Sequence, residues 1–445
     1  MHSISKDTGY KNIYDLAGIG IGPFNLGLSA LLEKIKNIKS IFFDEKPCFS
    51  WHENTLLNNS AIQVHYLKDL VTLVDPSNKY SFLSYLALHK RLYQFVNKKN
   101  NIVSRMEFNQ YFQWASKNLS NLIFSQHIKK VEHENKYFSI YSDSLKCRAK
   151  NIVIGTGIKP YIPNFLNPLL SSTVFHSLHY LKYKKTLNFK NKRIIIVGGG
   201  QSGAEVFDDL ISSENLPIKI TWVSKRANFQ PLEDACFSNE FYTPSYINYF
   251  RQLPLVSRQN ILSEQKLTSD GITQTLADSI YNKLYELKFI KKENINFNLL
   301  IRNSVSNVKK IDNLYKINIT NLDNQENITE SADIIILATG FAYQLPECIS
   351  TLLPDVSSVK DLSLNKDYSI AWEHSQTNKI YIQNGVKNFF GVADPNLSLA
   401  PWRNAVIINS LAKKELYKID GDSPFINYSS NMASLVIKDG DESYL

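Results

Sequence analysis

Two glycine-rich segments, each directly after a short apolar run, constrain the fold of this chain more than any other feature. The first run, Tyr14 to Ile19, leads into GIGIGPFN, and the second, Arg193 to Val197, leads into GGGQSGAEV. Such runs are typical of parallel strands that are buried on both faces. The glycines after them are typical of the strand-to-helix turns that hold a dinucleotide pyrophosphate. The pattern therefore predicts two nucleotide-binding units in one chain.

Two further apolar runs flank the second motif: Asn151 to Ile154 before GTG, and Asp333 to Leu337 before ATGF. We interpret both as strands of the first domain, on either side of an inserted second domain. The predicted fold class is α/β, with two Rossmann-like dinucleotide-binding domains and a small helical substrate-binding region. The predicted bounds are 10–185 plus 331–445 for the first dinucleotide-binding domain, 190–330 for the second, inserted one and, within it, 239–290 for the helical region.

The second glycine motif has the full GxGxxG spacing, with Gly198, Gly200 and Gly203 after a strand and at the start of a predicted helix. The residue at the usual ribose-binding offset is Ser224, and two cations follow it, Lys225 and Arg226. A hydroxyl and two cations suit the 2′-phosphate of NADP better than a bare ribose. We therefore predict NADPH at this site, with a solvated basic turn as the alternative.

The first motif is less regular, because Pro23 occupies the position of the third glycine after Gly18 and Gly20. The next predicted strand ends in Asp44, and an acid at that position accepts hydrogen bonds from ribose hydroxyls. Two dinucleotide sites in one chain indicate a flavoprotein in which NADPH reduces FAD. A thiol–disulfide reductase is disfavoured because Cys48, the cysteine near this motif, has no partner in the sequence, which leaves O2 as the electron acceptor.

The composition limits the classes of ligand and partner that we expect this protein to bind. The net charge is +9 and the pI about 9.0, but the lysines are scattered, so we expect attraction of anionic cofactors rather than nucleic-acid binding. The four cysteines lie far apart, which argues against a zinc site or a disulfide framework. We expect no metal. The N-terminus lacks an apolar signal core and no apolar run reaches about 18 residues, so we expect a cytoplasmic protein without a membrane span.

Beyond these motifs, the sequence resembles a known family in the segments GIGIGPFNLGLSAL, FFDEKPCFSWH, VHYLKDLVTLVDPSNKYSFLSYL, GGGQSGAEV, TSDGIT, ATGF and DPNLSLAPWRN. The family is that of the flavin-dependent N-hydroxylating monooxygenases of siderophore biosynthesis, and the bacterial lysine N6-hydroxylase branch is the most similar. The likeness runs from about Asp15 to beyond Trp402. It implies FAD, NADPH and O2, hydroxylation of a terminal primary amine, and a homo-oligomer, either a dimer or a tetramer. It also implies that a C4a-hydroperoxide of the flavin carries the chemistry, so no catalytic side chain is predicted.

The resemblance assigns site residues by position. Those matching the FAD site are Gly18, Gly20, Gly22, Pro23, Asp44, Trp51, His52 and Gln63. Those predicted for NADPH are Gly198, Gly200, Gln201, Ser202 and Gly203, joined by Ser224, Lys225 and Arg226 from the spacing argument. Those predicted for the substrate are Lys68, which matches a carboxylate-binding lysine, Asn239, which matches a substrate contact of the ornithine enzymes, Ser269 in the TSDG segment, and Ser398 near the flavin.

The predicted reaction converts L-lysine to N6-hydroxylysine for a hydroxamate siderophore. The substrate has alternatives, because the TSDG segment resembles the lysine and diamine branches whereas Asn239 resembles the ornithine branch. Putrescine, cadaverine, histamine and L-ornithine are therefore alternative substrates for the same chemistry. A different class, an NADPH-dependent flavin reductase or oxidase, is the second alternative.

Overall fold

The structure is a computed structural model, and it describes residues 13–57, 60–98, 102–292, 296–419 and 424–428. The predicted FAD domain extends beyond these ranges, at 10–12 and at 429–445 among other positions, and those parts lie outside the described residues. No helix within the described ranges is long and apolar enough to cross a bilayer.

The strands begin and end as follows: β1 (Ile13–Ile19), β2 (Ser40–Phe43), β3 (Leu122–Ile123), β4 (Lys130–Glu134), β5 (Tyr137–Tyr141), β6 (Lys146–Ile154), β7 (Ile158–Pro160), β8 (Val174–His176), β9 (Arg193–Val197), β10 (Lys219–Val223), β11 (Asn296–Leu300), β12 (Asn303–Ile311), β13 (Leu314–Asn321), β14 (Asn327–Ala332), β15 (Ile334–Leu337), β16 (Phe341–Tyr343) and β17 (Ile380–Ile382).

The α-helices are α1 (Pro23–Leu32), α2 (Phe82–Leu88), α3 (Leu92–Asn97), α4 (Arg105–Asn118), α5 (Tyr180–Lys184), α6 (Gln201–Ile211), α7 (Pro244–Phe250), α8 (Leu255–Glu264), α9 (Leu267–Asp270), α10 (Gln274–Tyr285), α11 (Lys387–Phe390) and α12 (Ala400–Ala412). A π-helical turn, Glu286–Ile290, extends α10, and a 3-10 turn, Ser238–Tyr242, precedes α7.

The first sheet has the order β3-β2-β1-β6-β5-β4, and β17 also pairs with β6. Its centre, β1, pairs in parallel with β2 and β6, so that Gly18 lies between Phe42 and Val153. Helix α1 follows β1 and packs against α12 from the far end of the chain, where the Asn404 side chain donates a hydrogen bond to the Phe24 carbonyl. The predicted strands at 14–19, 41–43 and 151–154 are confirmed in this sheet.

The second sheet has the order β11-β10-β9-β15-β8 and is parallel throughout. The predicted strand at Asp333 to Leu337 exists as β15, but its predicted place in the first domain is wrong, because it pairs with β9 and β8. Strand β8 also lies before the predicted start of the inserted domain. The bounds at 185, 190 and 331 therefore do not follow the sheets, since an all-apolar strand fits either sheet and pairing decides between them.

Outside the two parallel sheets, β12, β13 and β14 form an antiparallel sheet, and β7 pairs with β16. The segment predicted to be a helical region contains α7, α8, α9 and α10. Helix α10 packs against α6, and its apolar residues at helical spacing lie in or against the core of the second sheet, as predicted for Leu276, Ile280, Leu284 and Leu287. The helical region thus lies beside the helix that follows the second glycine turn.

Candidate active site

The first glycine turn ends where α1 begins. Pro23 is the first residue of α1, and no side chain caps the amides at its N-terminus. Gly20 has a φ of +88°, and a Cβ atom at this position would lie 2.4 Å from the Gly155 carbonyl oxygen, so no other residue fits without displacement. Uncapped amides behind a close-packed glycine turn form a binding site for a pyrophosphate. The geometry of Gly18 to Pro23 therefore fits the predicted FAD loop.

Asp44 lies beside this turn, as its position after β2 predicts. Its carboxylate is buried and accepts hydrogen bonds from the backbone N–H groups of Ile21, at 2.7 Å, and Lys46, at 2.9 Å. These two bonds fix the acid next to the glycine turn. The ribose contact of Asp44 stays a prediction.

Two buried amides support the same turn and were missed in the sequence. Asn25 donates a hydrogen bond from its side chain to the Gly20 carbonyl, at 2.7 Å, and accepts one from the Gln383 side chain, at 2.8 Å. Both residues are fully buried. A polar residue in the otherwise apolar helix start PFNLGL is the signal that could have identified Asn25, because buried polar groups require partners.

Trp51 and His52 lie side by side, with ring centroids 4.5 Å apart. The Trp51 backbone N–H donates to the Asn109 side chain. Desolvation by the surrounding protein lowers the pKa of His52 to about 4, and the charges of Arg105 and Lys46 add to the effect. His52 is therefore uncharged at neutral pH. Its predicted contact with the flavin stays a prediction.

Gln63 carries an unpaired group. Its Nε2 atom is buried and has no hydrogen-bond partner among the described residues. A buried donor without an acceptor costs about 1–3 kcal/mol, so a ligand that supplies an acceptor here would recover that free energy. The predicted contact of Gln63 with FAD would supply such an acceptor, and it stays a prediction.

The second glycine turn repeats the arrangement. Gly198 has a φ of +125°, and a Cβ atom there would lie 2.0 Å from the Ala338 carbonyl oxygen. The Trp222 indole donates to the Gly198 carbonyl at 2.8 Å, which holds the turn against β10. Helix α6 begins directly after Gly200, and no side chain caps it. The turn therefore fits the predicted pyrophosphate of NADPH.

The three residues predicted for the 2′-phosphate follow β10. Ser224 is buried, and its hydroxyl accepts the Arg226 backbone N–H at 3.1 Å. The Arg226 guanidinium donates to the Asp270 carbonyl at 2.6 Å, whereas Lys225 is exposed. Arg226 thus already connects the second sheet to the helical region. Its contact with a phosphate stays a prediction.

An ion pair that the sequence did not reveal joins the half of the molecule that contains the first sheet to the half that contains the second. The guanidinium of Arg105, at the start of α4, donates to both carboxylate oxygens of Glu205 on α6, at 3.0 and 2.6 Å. The Gln201 amide donates to the same carboxylate, and its oxygen accepts the Thr273 backbone N–H. Ser202, also predicted for NADPH, is half-buried on the first turn of α6. No motif links residues 100 positions apart, so only the structure reveals the pair.

Lys68 occupies a half-buried position next to a rigid turn. Asp69, which follows it, is buried and accepts hydrogen bonds from the backbone N–H groups of Val71, Thr72 and Phe82. The Lys68 ammonium lies 5.7 Å from the centre of the Tyr242 ring and forms no salt bridge within the described part of the chain. Burial lowers its pKa, and the nearby Asp234 offsets part of that shift. Lys68 is therefore a cation available for an anionic ligand.

Asn239 belongs to the turn against which the Lys68 ammonium lies, and the substrate contacts of both residues stay predictions. It shares the 3-10 turn Ser238–Tyr242 with Tyr242, and its side chain donates to the Asp234 carboxylate at 2.9 Å. The Tyr242 hydroxyl donates to the Thr268 carbonyl at 2.6 Å. Through Tyr242, these contacts connect Lys68 to the turn that contains Asn239 and to the TSDG segment.

The two predicted serines have local partners. The Ser269 hydroxyl lies 3.3 Å from the ammonium of Lys387, a residue that the sequence analysis did not single out. Ser398 is buried, and its hydroxyl donates to the Asn396 side chain at 2.7 Å, just before α12. Ser269 therefore adjoins the group around Lys68, whereas the Ser398 contacts lie at the start of α12. Both substrate roles stay predictions.

Comparison with known proteins identifies relatives along nearly the whole chain. A family described as L-lysine 6-monooxygenase/L-ornithine 5-monooxygenase matches residues 12–343. The chain is 35% identical over 425 residues to L-lysine N6-monooxygenase of Escherichia coli, covering 94% of this chain and 99% of that protein. It is 33% identical over 422 residues to putrescine N-hydroxylase of Shewanella oneidensis, covering 92% and 83%, respectively.

A solved structure shares the fold. The FAD-bound structure of DfoA, a cadaverine monooxygenase of the desferrioxamine pathway from Erwinia amylovora, superposes with a TM-score of 0.87 at 29% identity. The match covers 94% of this chain and 98% of that chain. The similar proteins are thus named for three different amines: lysine, putrescine and cadaverine.

Proposed function

The chain belongs to the L-lysine 6-monooxygenase/L-ornithine 5-monooxygenase family, and from that premise we propose that it hydroxylates N6 of L-lysine. Members of this family are flavin-dependent N-monooxygenases that use NADPH and O2, and the chain is such an enzyme with FAD and NADPH as cofactors. Family members act on lysine, ornithine or diamines for siderophore synthesis. The choice of lysine among these amines is the proposal.

The half-buried ammonium of Lys68 is the observation that carries this choice. It lies against Tyr242 without a salt bridge within the described residues, and burial lowers its pKa, so an anion placed beside it would be favoured. An amino acid supplies that anion as its carboxylate, whereas a diamine would place a second cation near Lys68. The unpaired lysine therefore supports an amino-acid substrate.

Different parts of the chain would bind the two cofactors and the substrate amine. The uncapped N-termini of α1 and α6 would hold the pyrophosphates of FAD and NADPH. FAD, when bound, supplies the redox chemistry that activates O2 with electrons from NADPH. The substrate amine must be neutral to act as a nucleophile, yet a free lysine amine has a pKa of about 10.4. The pocket therefore has to disfavour its charged form, which removal of the amine from water on binding would do.

A diamine is the second candidate, because of two relatives. The chain is 33% identical to a putrescine N-hydroxylase, and the solved structure named above is that of a cadaverine monooxygenase. For these substrates the Lys68 ammonium would have no anionic partner. The two candidates therefore make opposite demands on one residue, which makes them separable by experiment.

The test is a substrate panel with the FAD-loaded enzyme. NADPH oxidation, hydroxylamine and H2O2 are measured in parallel with L-lysine, L-ornithine, putrescine, cadaverine and histamine. We expect L-lysine to have the highest kcat/KM and hydroxylamine to match the NADPH consumed. Preference for putrescine or cadaverine would contradict the proposal in favour of the diamine. NADPH consumption that yields H2O2 with every amine would instead indicate a flavin reductase or oxidase.

A further inference from the structure

The amide of Asn239 has both of its hydrogens engaged within the protein. Its Nδ2 atom donates to the Asp234 carboxylate at 2.9 Å and to the Ala235 carbonyl at 3.2 Å. A side-chain amide has two donor hydrogens and one acceptor oxygen. What remains of Asn239 for a ligand is therefore the acceptor, Oδ1.

The orientation of this amide is fixed by chemistry. An asparagine side chain can usually rotate to exchange its oxygen and nitrogen, and the choice is assigned from the hydrogen-bond network. Here both partners, a carboxylate oxygen and a backbone carbonyl oxygen, accept hydrogen bonds from the Asn239 nitrogen. Rotating the Asn239 amide would place its oxygen against the Asp234 carboxylate. Asp234 therefore keeps the Asn239 oxygen available to a ligand that donates hydrogen bonds.

Lys68 presents the opposite chemistry on the same surface. Its ammonium lies 5.7 Å from the centre of the Tyr242 ring, and Tyr242 is three residues after Asn239 on one 3-10 turn. Residues three apart lie one above the other on a 3-10 helix, so the two side chains share a face. The turn thus brings together a group that only donates, Lys68, and a group that can only accept, Asn239.

We infer that Asp234 is a positioning residue. By orienting the Asn239 amide, it makes this turn select substrates that carry both an α-carboxylate and an α-ammonium. The inference rests on the proposed function. The α-carboxylate would bind to the Lys68 ammonium, and the α-ammonium would donate to the Asn239 oxygen that Asp234 holds in place. The negative charge of Asp234 also favours the α-ammonium electrostatically, because unlike charges attract over several ångströms.

This arrangement distinguishes lysine from molecules that lack one of the two α-substituents. 6-Aminohexanoate has the same chain, reacting amine and carboxylate as lysine but no α-ammonium. It would leave the Asn239 oxygen and the Asp234 charge without a partner. A site built to bind a polar group rejects analogues that lack it more strongly than a site built on apolar contacts. The comparison of these two substrates therefore isolates the role of Asp234.

The experiment compares L-lysine and 6-aminohexanoate with the FAD-loaded wild type and with Asp234→Ala. The wild type is expected to have at least a tenfold higher kcat/KM for L-lysine. In Asp234→Ala, KM for L-lysine should rise about tenfold while KM for 6-aminohexanoate changes less than twofold, with kcat retained for both. Asp234→Glu should restore part of the preference, because it returns the negative charge.

Glu233→Ala is the matched control, because the neighbouring Glu233 accepts a hydrogen bond from Ser238 instead of Asn239. It should leave the preference for L-lysine unchanged. If Asp234→Ala fails to retain FAD, Asp234→Leu provides a second comparison, because leucine has a similar branched shape and offers no acceptor to the Asn239 amide. Equal losses with both substrates would overturn the positioning role alone. A wild type that hydroxylates cadaverine but not L-lysine would overturn the proposed function, and this inference with it.

Discussion

Arg105 and Glu205 form a two-pronged ion pair between the halves of the molecule, with N–O distances of 3.0 and 2.6 Å. Their side chains are 13% and 8% exposed, so the pair is largely shielded from water. The Glu205 carboxylate also accepts a hydrogen bond from Gln201, the first residue of α6. The pair therefore ties the start of α4 to the helix that follows the predicted NADPH turn.

Replacing Arg105 by alanine should destabilise the protein and weaken NADPH binding. It leaves the Glu205 carboxylate shielded from water without its cation, and breaking a buried pair in this way costs about 3–5 kcal/mol. Because Glu205 also contacts Gln201, we expect KM for NADPH to rise together with the loss of stability. Urea unfolding and initial rates at varied NADPH measure the two effects.

The matched control is Arg193→Ala, because the Arg193–Asp333 pair lies within the second sheet and does not join the halves. It should lower the free energy of unfolding while leaving KM for NADPH within about twofold of the wild type, because Arg193 begins β9 and the Gly198 turn follows the other end of that strand. If Arg105→Ala shifts stability alone, as the control does, the proposed coupling between α4 and the NADPH turn is contradicted.

Gly198→Ala should strongly impair NADPH use while FAD stays bound. The φ of +125° strains any other residue, and the new Cβ atom would lie 2.0 Å from the Ala338 backbone oxygen, so the turn has to move. Flavin absorbance should remain, and flavin reduction by NADPH should slow at least tenfold. Gly157→Ala is the control, because Gly157 has a φ of +74° but no heavy atom within 4 Å of the added Cβ. A normal reduction rate in Gly198→Ala would contradict the assignment of this turn.

Much of the fold could be predicted because its signals are local. Apolar strands that end in glycine and lead into a helix identified β1 and β9, and Asp44 was placed beside its turn from spacing alone. The location of β15 could not be predicted, because Ile334–Leu337 is buried on both faces and would suit either parallel sheet. The strands beside β15 are determined by pairing with residues distant in the sequence, and the sequence of β15 itself does not indicate which strands these are.

The candidate site likewise contains residues that could be predicted from the sequence and contacts that could not. The glycine turns and Lys68 lie in segments that resemble a family, so their positions were predicted. The Arg105–Glu205 pair and the contact between Asp234 and Asn239 have no such motif. Each depends on where the backbone brings two side chains, and neither residue type is unusual at its position in the sequence. These contacts were therefore found only in the structure.

Replacing Lys68 by alanine should raise KM for L-lysine sharply and barely change KM for cadaverine. The ammonium has to be protonated to bind a carboxylate, and burial lowers its pKa, so binding is lost as pH rises through a value below that of an ordinary lysine. The wild type should therefore lose kcat/KM for 6-aminohexanoate at alkaline pH earlier than Lys68→Arg, which stays charged. Equal effects of Lys68→Ala on lysine and cadaverine would contradict the carboxylate contact.

His176 should make the protein less stable in acid. Its buried ring accepts the Leu178 N–H through Nδ1 and donates from Nε2 to the Gly340 carbonyl at 3.0 Å, and desolvation lowers its pKa to about 4. The unfolded chain, with a histidine pKa of about 6.5, binds the proton first, so stability falls as pH decreases from 6.5 to 4, by up to about 3 kcal/mol.

The variant His176→Asn has no group at this position that titrates in this pH range. Above pH 7 its deficit in unfolding free energy reports the lost contacts alone, and that deficit should narrow on acidification. A deficit in urea unfolding that is constant between pH 7.5 and pH 4.5 would show that His176 is not held neutral in the folded protein.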